Sequence, residues 1–286
     1  MNYQLLANLE NWLGQQIVGQ QDLIHKLILA LLADGHLLVE GAPGLAKTRA
    51  IKEMAEGIEG SFHRIQFTPD LMPSDVTGHA LFDSQSGDFG VRKGPAFTNL
   101  LLADEINRAP AKVQSALLEA MEERQITAGK TSYPLEQPFC VIATQNPIEH
   151  EGTWELPQAQ LDRFLLHLVI AYPESSAELE ILDLAMREAA EGMAAPPHLI
   201  TKEELADARS SVLAVHVSEP VRDYVVRLVA GTRGDPDPIE GVGEHLSHPA
   251  SPRGSISLVR AAQARAWLSA IFILTFILIL ILIIII

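Results

Sequence analysis

An eight-residue, glycine-rich loop at residues 41–48 constrains this chain more than any other stretch. It follows an apolar run at residues 36–40, which predicts a buried strand, and it precedes residues 49–57, which predict a helix. The loop consists of Gly41, Ala42, Pro43, Gly44, Leu45, Ala46, Lys47 and Thr48. Its backbone N–H groups and the positive end of the helix would face one point, which suits the loop to hold phosphate. We expect Lys47 to reach the β- and γ-phosphates of a nucleotide and the Thr48 hydroxyl to bind Mg²⁺.

The loop departs from the general phosphate-binding pattern at one position. That pattern has glycine immediately before the lysine, whereas this chain has Ala46. We place Ala46 at the start of the helix, where φ is negative and a methyl group is tolerated. The alternative interpretation is an ordinary strand–turn–helix with a chance Lys-Thr pair, and a second motif farther along the chain argues against it.

That second motif lies at residues 100–105, where three leucines and an alanine lead to two carboxylates. The apolar part predicts a buried central strand, and parallel sheets bind ligands at the carboxyl ends of their strands. We therefore expect Asp104 to hold the Mg²⁺ of a nucleotide, through water, and Glu105 to act as general base toward the attacking water. The alternative for Glu105 is an acid at the N-terminus of the next helix, which residues 107–110 would begin.

Two further polar residues are predicted near the same phosphate chemistry. Residues 139–144 predict another buried strand, which would deliver Asn146 beside the γ-phosphate to orient the lytic water; a turn-forming asparagine before proline is the alternative. Arg163 precedes the predicted last strand, and its planar, always-charged fork suits an arginine finger that stabilises phosphate oxygens. A salt bridge between Arg163 and Asp162, or another nearby carboxylate, is the alternative.

Two residues outside these motifs are also candidates for contact with a nucleotide. Val18, with Ile17, lies in a turn ahead of the loop and would contact adenine, although simple core packing explains both residues equally well. Arg253 starts a predicted helix, where its charge opposes the helix dipole. That position suggests an anionic partner such as a bound phosphate, and a solvated surface arginine is the alternative.

The order of the predicted elements indicates an α/β fold with two domains. Residues 1–172 alternate helices with buried strands, which predicts a nucleotide-binding core built on a parallel sheet. Residues 79–91 predict a hairpin inserted before the next helix. Residues 173–268 carry helical patterns only and predict a small all-α second domain.

Residues 269–286 are different in kind, because residues 277–286 are isoleucine and leucine only. From Trp267 to Ile286 the chain has 20 residues, and a helix of that length spans about 30 Å, just enough to cross a bilayer with Arg265 and Trp267 at its interface. One interpretation is a C-terminal membrane anchor. The interpretation that we favour is a non-native end, such as a shifted reading frame, since the monotony is a low-complexity signature.

The overall charge restricts the classes of partner. The formal net charge is −15, whereas nucleic-acid binding needs clustered positive charge, so we expect no nucleic-acid partner. The single cysteine, Cys140, excludes an intrachain disulfide and fits a reducing compartment. Residues 1–14 lack the basic start and apolar centre of a secretory signal. We expect a cytoplasmic protein, or a membrane-anchored one if the tail is genuine.

Together these motifs resemble the MoxR family of AAA+ ATPases, over about residues 1–268. The resemblance lies in residues 41–48, 67–75, 100–110, 143–147, 160–164 and 251–253. Alanine before the lysine is the variant typical of that family.

The resemblance implies a three-layer P-loop AAA+ core with a C-terminal helical lid, and ATP hydrolysis with Mg²⁺ in a hexameric ring of identical chains. It implies Asn146 as sensor 1, Arg163 as a finger acting on the neighbouring subunit's nucleotide, and Arg253 as sensor 2 from the lid. It also implies a chaperone-like protein that remodels or activates client complexes, often metalloenzymes, with a partner that carries a von Willebrand factor A (VWA) domain. The hairpin near residues 83–87 resembles the insertion that this group carries into the second helix of its core.

Three other functions share parts of this pattern. A magnesium-chelatase-like motor subunit has motifs that are scarcely distinguishable from these. A helicase-like motor shares the inserted hairpin, although the net charge of −15 argues against a DNA partner. A nucleotide-gated binding module would use ATP to hold a partner, with little turnover.

Overall fold

The structure is a computed structural model that describes most of the chain. The described residues are 3–82, 89–128, 131–147, 153–192, 195–196, 198–234, 246, 248–270 and 273–274. The helices among them are α1 (Tyr3–Gln16), α2 (Gln21–Leu32), α3 (Lys47–Glu56), α4 (Pro73–Thr77), α5 (Ala111–Glu123), α6 (Gln158–Leu161), α7 (Ser175–Glu191), α8 (Lys202–Leu213), α9 (Glu219–Gly231) and α10 (Pro252–Leu268). The strands are β1 (Leu37–Glu40), β2 (Phe62–Gln66), β3 (Gly78–Phe82), β4 (Phe89–Lys93), β5 (Leu100–Asp104), β6 (Gln125–Ala128), β7 (Thr131–Pro134), β8 (Cys140–Gln145), β9 (Leu166–Val169), β10 (His216–Val217) and β11 (Ile273–Leu274).

A five-stranded parallel sheet in the order β2-β5-β8-β1-β9 forms the centre of the protein. The predicted α/β class with a parallel sheet is therefore confirmed. The register places Gln66 opposite Asp104, and Glu40 opposite Gln145, so these strands end at one edge of the sheet. The loop after β1 and the carboxylates after β5 consequently face the same space.

Both faces of the sheet are covered by helices, which explains why its strands are continuously apolar. Leu100 and Leu102 belong to the hydrophobic core on the side of α1, α2 and α3. Leu101 and Ala103 belong to a second core on the side of α5. The alternation of side chains along each strand thus fills two cores at once, and the result is the three-layer arrangement.

The region from α7 to α10, which we call the lid, is helical as predicted except for one short pairing. β10 pairs in parallel with β11, two residues from each strand, so the expectation of an all-α lid is wrong at this point. The apolar residues of α8, α9 and α10 belong to the same hydrophobic core as α1 and α2. The boundary predicted between residues 172 and 173 therefore separates two folding patterns that share one continuous core.

Helix α10 is attached to the N-terminal helices at its last turns. Trp267 is buried and its ring meets that of Tyr3 edge-on, with centroids 6.4 Å apart. Nη1 of Arg265 donates to Nε2 of His25, and Nδ1–H of His25 donates to Glu10 at 2.6 Å. The membrane-anchor interpretation placed Arg265 and Trp267 at a bilayer interface, whereas in the structure both side chains pack against helices of the same chain.

Helix α10 ends before the apolar tail begins. α10 stops at Leu268, and Ala270 has a positive φ of 55°. Ile273 and Leu274 then form β11, and residues 271–272 and 275–286 lie outside the described part of the chain. Within the part that is described, no helix is both long enough and apolar enough to cross a membrane.

The predicted hairpin is present as the antiparallel strands β3 and β4, while its turn at residues 83–88 lies outside the described residues. It follows the short helix α4, and residues 94–99 form turns that lead directly into β5. The hairpin therefore precedes α5, and these turns and β5 lie between the two. The turns are fixed by side chains, since the Thr98 hydroxyl donates to the Ser61 carbonyl and the Asn99 amide donates to the Pro138 carbonyl.

Buried His36 makes the stability of the fold depend on pH. Its Nδ1 accepts from the Val141 N–H at 3.0 Å, and its Nε2–H donates to the Met121 carbonyl at 3.3 Å, so the ring is neutral. Burial lowers the pKa of His36 to about 4. As the pH falls from about 6.5, the unfolded state takes up the proton first, and we expect the free energy of unfolding to fall by about 2 kcal/mol at pH 5.

Urea denaturation at several pH values tests this expectation. The variant His36→Asn retains polar groups but cannot titrate in this range, so its stability should change less between about pH 6.5 and 4. His63→Asn, at an exposed position of β2, is the matched control and should keep the wild-type slope. An equal slope in His36→Asn and the wild type would contradict the assignment.

Candidate nucleotide site

The glycine-rich loop turns tightly after β1 and opens onto a cavity. A Cβ atom on Gly41 would lie 2.4 Å from Cγ1 of Ile170, so only glycine fits where the loop leaves the sheet. Gly44 has a φ of 83°, and a Cβ there would meet nothing within 4 Å. The loop is therefore packed at its base and open at its crest, as a cradle for a ligand requires.

Ala46 does not have the conformation predicted for it. Its φ is 57° and its ψ is 15°, in the left-handed region, and α3 begins only at Lys47. The expectation of a negative φ is therefore wrong. The left-handed turn of the loop therefore falls on the residue immediately before the lysine and the helix. An alanine in this conformation costs about 1–2 kcal/mol relative to the right-handed region.

A cavity of about 420 Å³ lies between the loop and the carboxyl ends of the strands. It is lined by Pro43, Gly44, Leu45, Ala46, Lys47, Thr48, Arg49, Arg64, Gln66, Asp104, Glu105, Thr144 and Asn146. The structure thus brings together the loop, both predicted carboxylates and the predicted asparagine, although they are up to 103 residues apart in sequence (Pro43 to Asn146).

Lys47 is held inside the loop that it follows. Its Nζ donates to the carbonyls of Gly41 and of Ala42, the latter at 3.1 Å. Burial lowers the pKa of Lys47, and the nearby charges of Asp104, Glu105 and Glu40 oppose that shift. Its ammonium group therefore lies beside the cavity and donates to two neutral carbonyl oxygens. Charged phosphate oxygens would accept stronger hydrogen bonds from the same group.

Asp104 is the most connected side chain of the site. It is only 5% exposed, and it accepts from the Thr144 hydroxyl at 2.5 Å and from the Thr48 hydroxyl at 3.3 Å. Nη2 of Arg64 donates to it at 2.7 Å. A carboxylate and a hydroxyl this close offer the oxygen ligands that Mg²⁺ prefers, and the Arg64 guanidinium supplies positive charge to the same carboxylate.

Glu105 is restrained at three points next to Asp104. Its φ is 58°, and its N–H donates to the Thr144 hydroxyl at 2.9 Å. The Gln66 amide donates to its carboxylate at 2.7 Å, and Nε of Arg108 lies 3.1 Å from the same oxygen. Glu105 therefore does not act as a cap for α5, which begins at Ala111, and it presents its carboxylate to the cavity in a fixed orientation.

Asn146 lies at the same edge, directly after β8. It is buried, with 5% exposure, and it lines the cavity beside Glu105. Its backbone carbonyl accepts from the Asn107 amide at 3.4 Å. This contact joins the segment after β8 to the segment after β5. It therefore fixes the position of Asn146 relative to Glu105, the two residues that we expect to handle the attacking water.

Arg163 and Arg253 lie together in a different place and do not line this cavity. Both contact Glu122 at the end of α5: Nε of Arg163 donates to one carboxylate oxygen at 2.8 Å, and Nη2 of Arg253 donates to the other. Asp162 is not the partner of Arg163, since it accepts from the Ser251 hydroxyl at 2.6 Å. The structure therefore does not bring Arg253 to the phosphate loop of its own chain.

Val18 is also placed apart from the lining residues of the cavity. It lies half-buried in the turn between α1 and α2. The next residue, Gly19, approaches Pro173 and Ala177 so closely that an added Cβ would lie 3.1 Å from each. The turn thus packs beside the segment that follows β9, and adenine contact by Val18 stays a prediction.

The residues at the cavity fit a nucleotide with its magnesium ion. The loop crest is open, a lysine and a helix N-terminus face the cavity, and Thr48 with Asp104 supplies oxygen ligands. Among the described residues, no three His, Cys, Asp or Glu side chains converge on a protein-only metal site. Magnesium would accordingly be held jointly by these two residues and by the phosphates.

The sequence analysis did not identify the residues that support Asp104 and Glu105. Arg64 and Gln66 lie two residues apart on β2 and point to the same side, toward Asp104 and Glu105. The polar alternation at the carboxyl end of β2 was the available signal. Its use required knowing that β2 pairs with β5, which the sequence does not state.

The fold and the site define a P-loop ATPase of the AAA class. A family model described as "ATPase family associated with various cellular activities (AAA)" matches residues 36–166. The chain is 42% identical over 254 residues to chaperone MoxR1 of Mycobacterium tuberculosis, covering 87% of this chain and 66% of MoxR1. It is 32% identical over 282 residues to protein MoxR of Methylorubrum extorquens, covering 92% of this chain and 80% of that protein.

A solved structure agrees with these relatives. The crystal structure of a presumed ATPase from Cytophaga hutchinsonii superposes with a TM-score of 0.86 and 39% identity, covering 98% of this chain and 85% of that one. This chain belongs to the MoxR family of AAA+ ATPases, as its motifs predicted.

The left-handed backbone at Ala46 generates a prediction about stability. Ala46→Gly should raise the free energy of unfolding by up to about 1 kcal/mol, because glycine adopts positive φ without steric cost. The same change inside the helix that follows, Ala50→Gly, should lower it by at least about 1 kcal/mol, because glycine is a poor helix former and the Ala50 methyl group is buried. Urea denaturation of both variants measures the two values, and equal signs would contradict the backbone assignment.

Proposed function

We propose that this protein binds MgATP in the cavity above residues 41–48 and hydrolyses its terminal phosphoanhydride bond. The observation that carries the proposal is the convergence of Lys47, Thr48, Asp104, Glu105 and Asn146 on one cavity. The family supports ATP hydrolysis in general, and these five side chains supply the groups that the specific reaction needs.

Each of these residues has a separate task in the proposed reaction. Lys47 and the loop N–H groups hold the phosphates, and Thr48 with Asp104 positions the magnesium ion, which neutralises charge on the phosphate oxygens when bound. Asn146 orients a water molecule. Glu105, fixed by Gln66 and Arg108, accepts a proton from that water as it attacks.

We further propose that the reaction is completed between two copies of the chain. Arg163 and Arg253 lie together away from the cavity of their own chain, and both retain partly exposed guanidinium groups. A neighbouring copy in a closed ring, which we take to be a hexamer, would present its phosphates to them. Arginine in this role adds about 10³–10⁵ in rate in related phosphoryl transfer.

The biological role that we propose is chaperone-like remodelling of a protein client. Its support is the family membership and the relative that is named chaperone MoxR1. We propose a VWA-domain protein as partner and metalloenzyme complexes as a class of client, in the cytoplasm. Coupling of ATP turnover to a VWA partner, measured as a change in phosphate release on mixing, tests this role, and stimulation by DNA instead would favour a helicase-like motor.

Two substitutions separate nucleotide binding from hydrolysis. Lys47→Ala should weaken ATP binding about 10–100-fold, because it removes a charge-assisted contact worth about 1.5–3 kcal/mol. Glu105→Gln should retain ATP affinity and lower kcat by at least about 10²-fold. Calorimetric titration and steady-state phosphate release measure the two effects.

Exposed neighbours serve as matched controls for both changes. Lys52→Ala on α3 and Glu123→Gln on α5 remove the same charges from outside the cavity. Both should bind and hydrolyse ATP as the wild type does. Wild-type turnover in Glu105→Gln would show that its assigned role is wrong.

Mixing two inactive variants tests catalysis between subunits. Arg163→Ala keeps a complete cavity but lends no arginine, whereas Glu105→Gln lends Arg163 but has no base. In randomly mixed rings about one quarter of the interfaces combine an intact cavity with an intact arginine, so activity should return well above either variant alone. Absence of recovery in rings shown to be mixed would contradict the arrangement.

A further inference from the structure

Glu122 holds both candidate arginines at once, although they come from different parts of the fold. It is the next-to-last residue of α5, and its side chain is one-third exposed. Arg163 belongs to the segment between α6 and β9, and Arg253 belongs to the first turn of α10 in the lid. The carboxylate of Glu122 therefore joins α5, the segment before β9 and α10. It does so at the place where we expect the phosphates bound by a neighbouring copy of the chain.

The two arginines are held in different ways. Arg163 donates to Glu122 through Nε, the inner nitrogen, and its two Nη groups have no hydrogen-bond partner among the described residues. Arg253 donates through Nη2, and its Nη1 lies 3.7 Å from Asp162. The outer nitrogens of Arg163 are thus left for another partner while its Nε is fixed, and its side chain is 28% exposed. The fork of Arg253, in contrast, is engaged within its own chain.

Charge explains why a carboxylate is needed at this point. Arg124 and Arg260 line the same cavity of about 290 Å³ as Arg163 and Arg253. Arg124 is paired with Asp34, at 2.8 Å. The guanidinium groups of Arg163 and Arg253 would repel one another unless an acid lay between them. Glu122 lies between Arg163 and Arg253 and accepts a hydrogen bond from each of them.

We propose that Glu122 is the positioning residue for Arg163: it anchors Nε so that the outer fork points at the phosphates bound by the neighbouring copy. The proposal rests on the proposed function, since it assumes that Arg163 acts between subunits. Glu122 acts through the arginine and does not itself contact the nucleotide. Its removal should disturb transition-state stabilisation in the next subunit while leaving its own ATP cavity unchanged.

Steady-state kinetics of the full-length chain provide the first test. Glu122→Ala should lower kcat about 10²-fold, as expected for a displaced catalytic group, with KM for ATP changed by less than about threefold. Glu122→Gln keeps one oxygen acceptor and should lower kcat less. Glu123→Gln, at the adjacent exposed position, is the matched control and should behave as the wild type.

Mixing distinguishes positioning between subunits from a structural defect. Glu122→Ala should be rescued by Glu105→Gln subunits, because the rescuing subunit lends a correctly held Arg163 to an intact cavity. A merely misfolded Glu122→Ala subunit would not be rescued. If Glu122→Ala does not fold, as judged by its thermal midpoint, Glu122→Gln is mixed in its place, and wild-type kcat in that variant would overturn the proposal.

The mixture with Arg163→Ala distinguishes the role of Glu122 from catalysis between subunits. If Arg163→Ala is rescued by Glu105→Gln and the Glu122 variants are not, the role of Glu122 is overturned while catalysis between subunits stands. If neither is rescued, the proposed arrangement of subunits fails first. Rescue of both, with KM for ATP unchanged, supports Glu122 as the residue that sets the arginine.

Discussion

The carboxylate of Asp104 is the contact on which the rest of the site depends. It accepts from Thr48 of the phosphate loop, from Thr144 of β8 and from Arg64 of β2, so it links the loop to two neighbours of its own strand. Because the group is buried, each of these bonds compensates for its lost hydration. Asp104 therefore holds the phosphate loop against the sheet, and the same carboxylate would bind the magnesium ion. One residue thus serves both the fold and the binding of the nucleotide.

Much of this could be read from the sequence, since the decisive patterns are local. Residues 36–48 combine a buried strand, a glycine-rich turn and a lysine, and this order indicates a phosphate loop. The strand that ends at Asp104 pairs in parallel, which by itself brings its carboxylates to the edge of the sheet where ligands bind. Contacts that depend on tertiary packing were not predictable. Glu122 meets Arg163 across 41 residues and Arg253 across 131, and no periodicity encodes such a meeting.

Local conformation set another limit on prediction. The handedness of the backbone at Ala46 is imposed by the geometry of the loop, against the preference of alanine, so a rule based on residue type gives the wrong sign of φ. The order of strands had the same effect on Gln66, whose relevance depends on β2 lying beside β5. Sequence patterns thus identified the groups that touch a nucleotide better than the groups that support them.

Helix α10 has a mechanical consequence for the lid. Arg253, near its start, is fastened to Glu122 of α5, and Arg265, near its end, is fastened to His25 of α2. The two fastenings are about 18 Å apart along the helix. The lid is joined to the core at further points as well, because Arg209 of α8 pairs with Asp34 at 2.6 Å and Glu188 of α7 pairs with Arg49. Rotation of the lid must therefore break several ion pairs together.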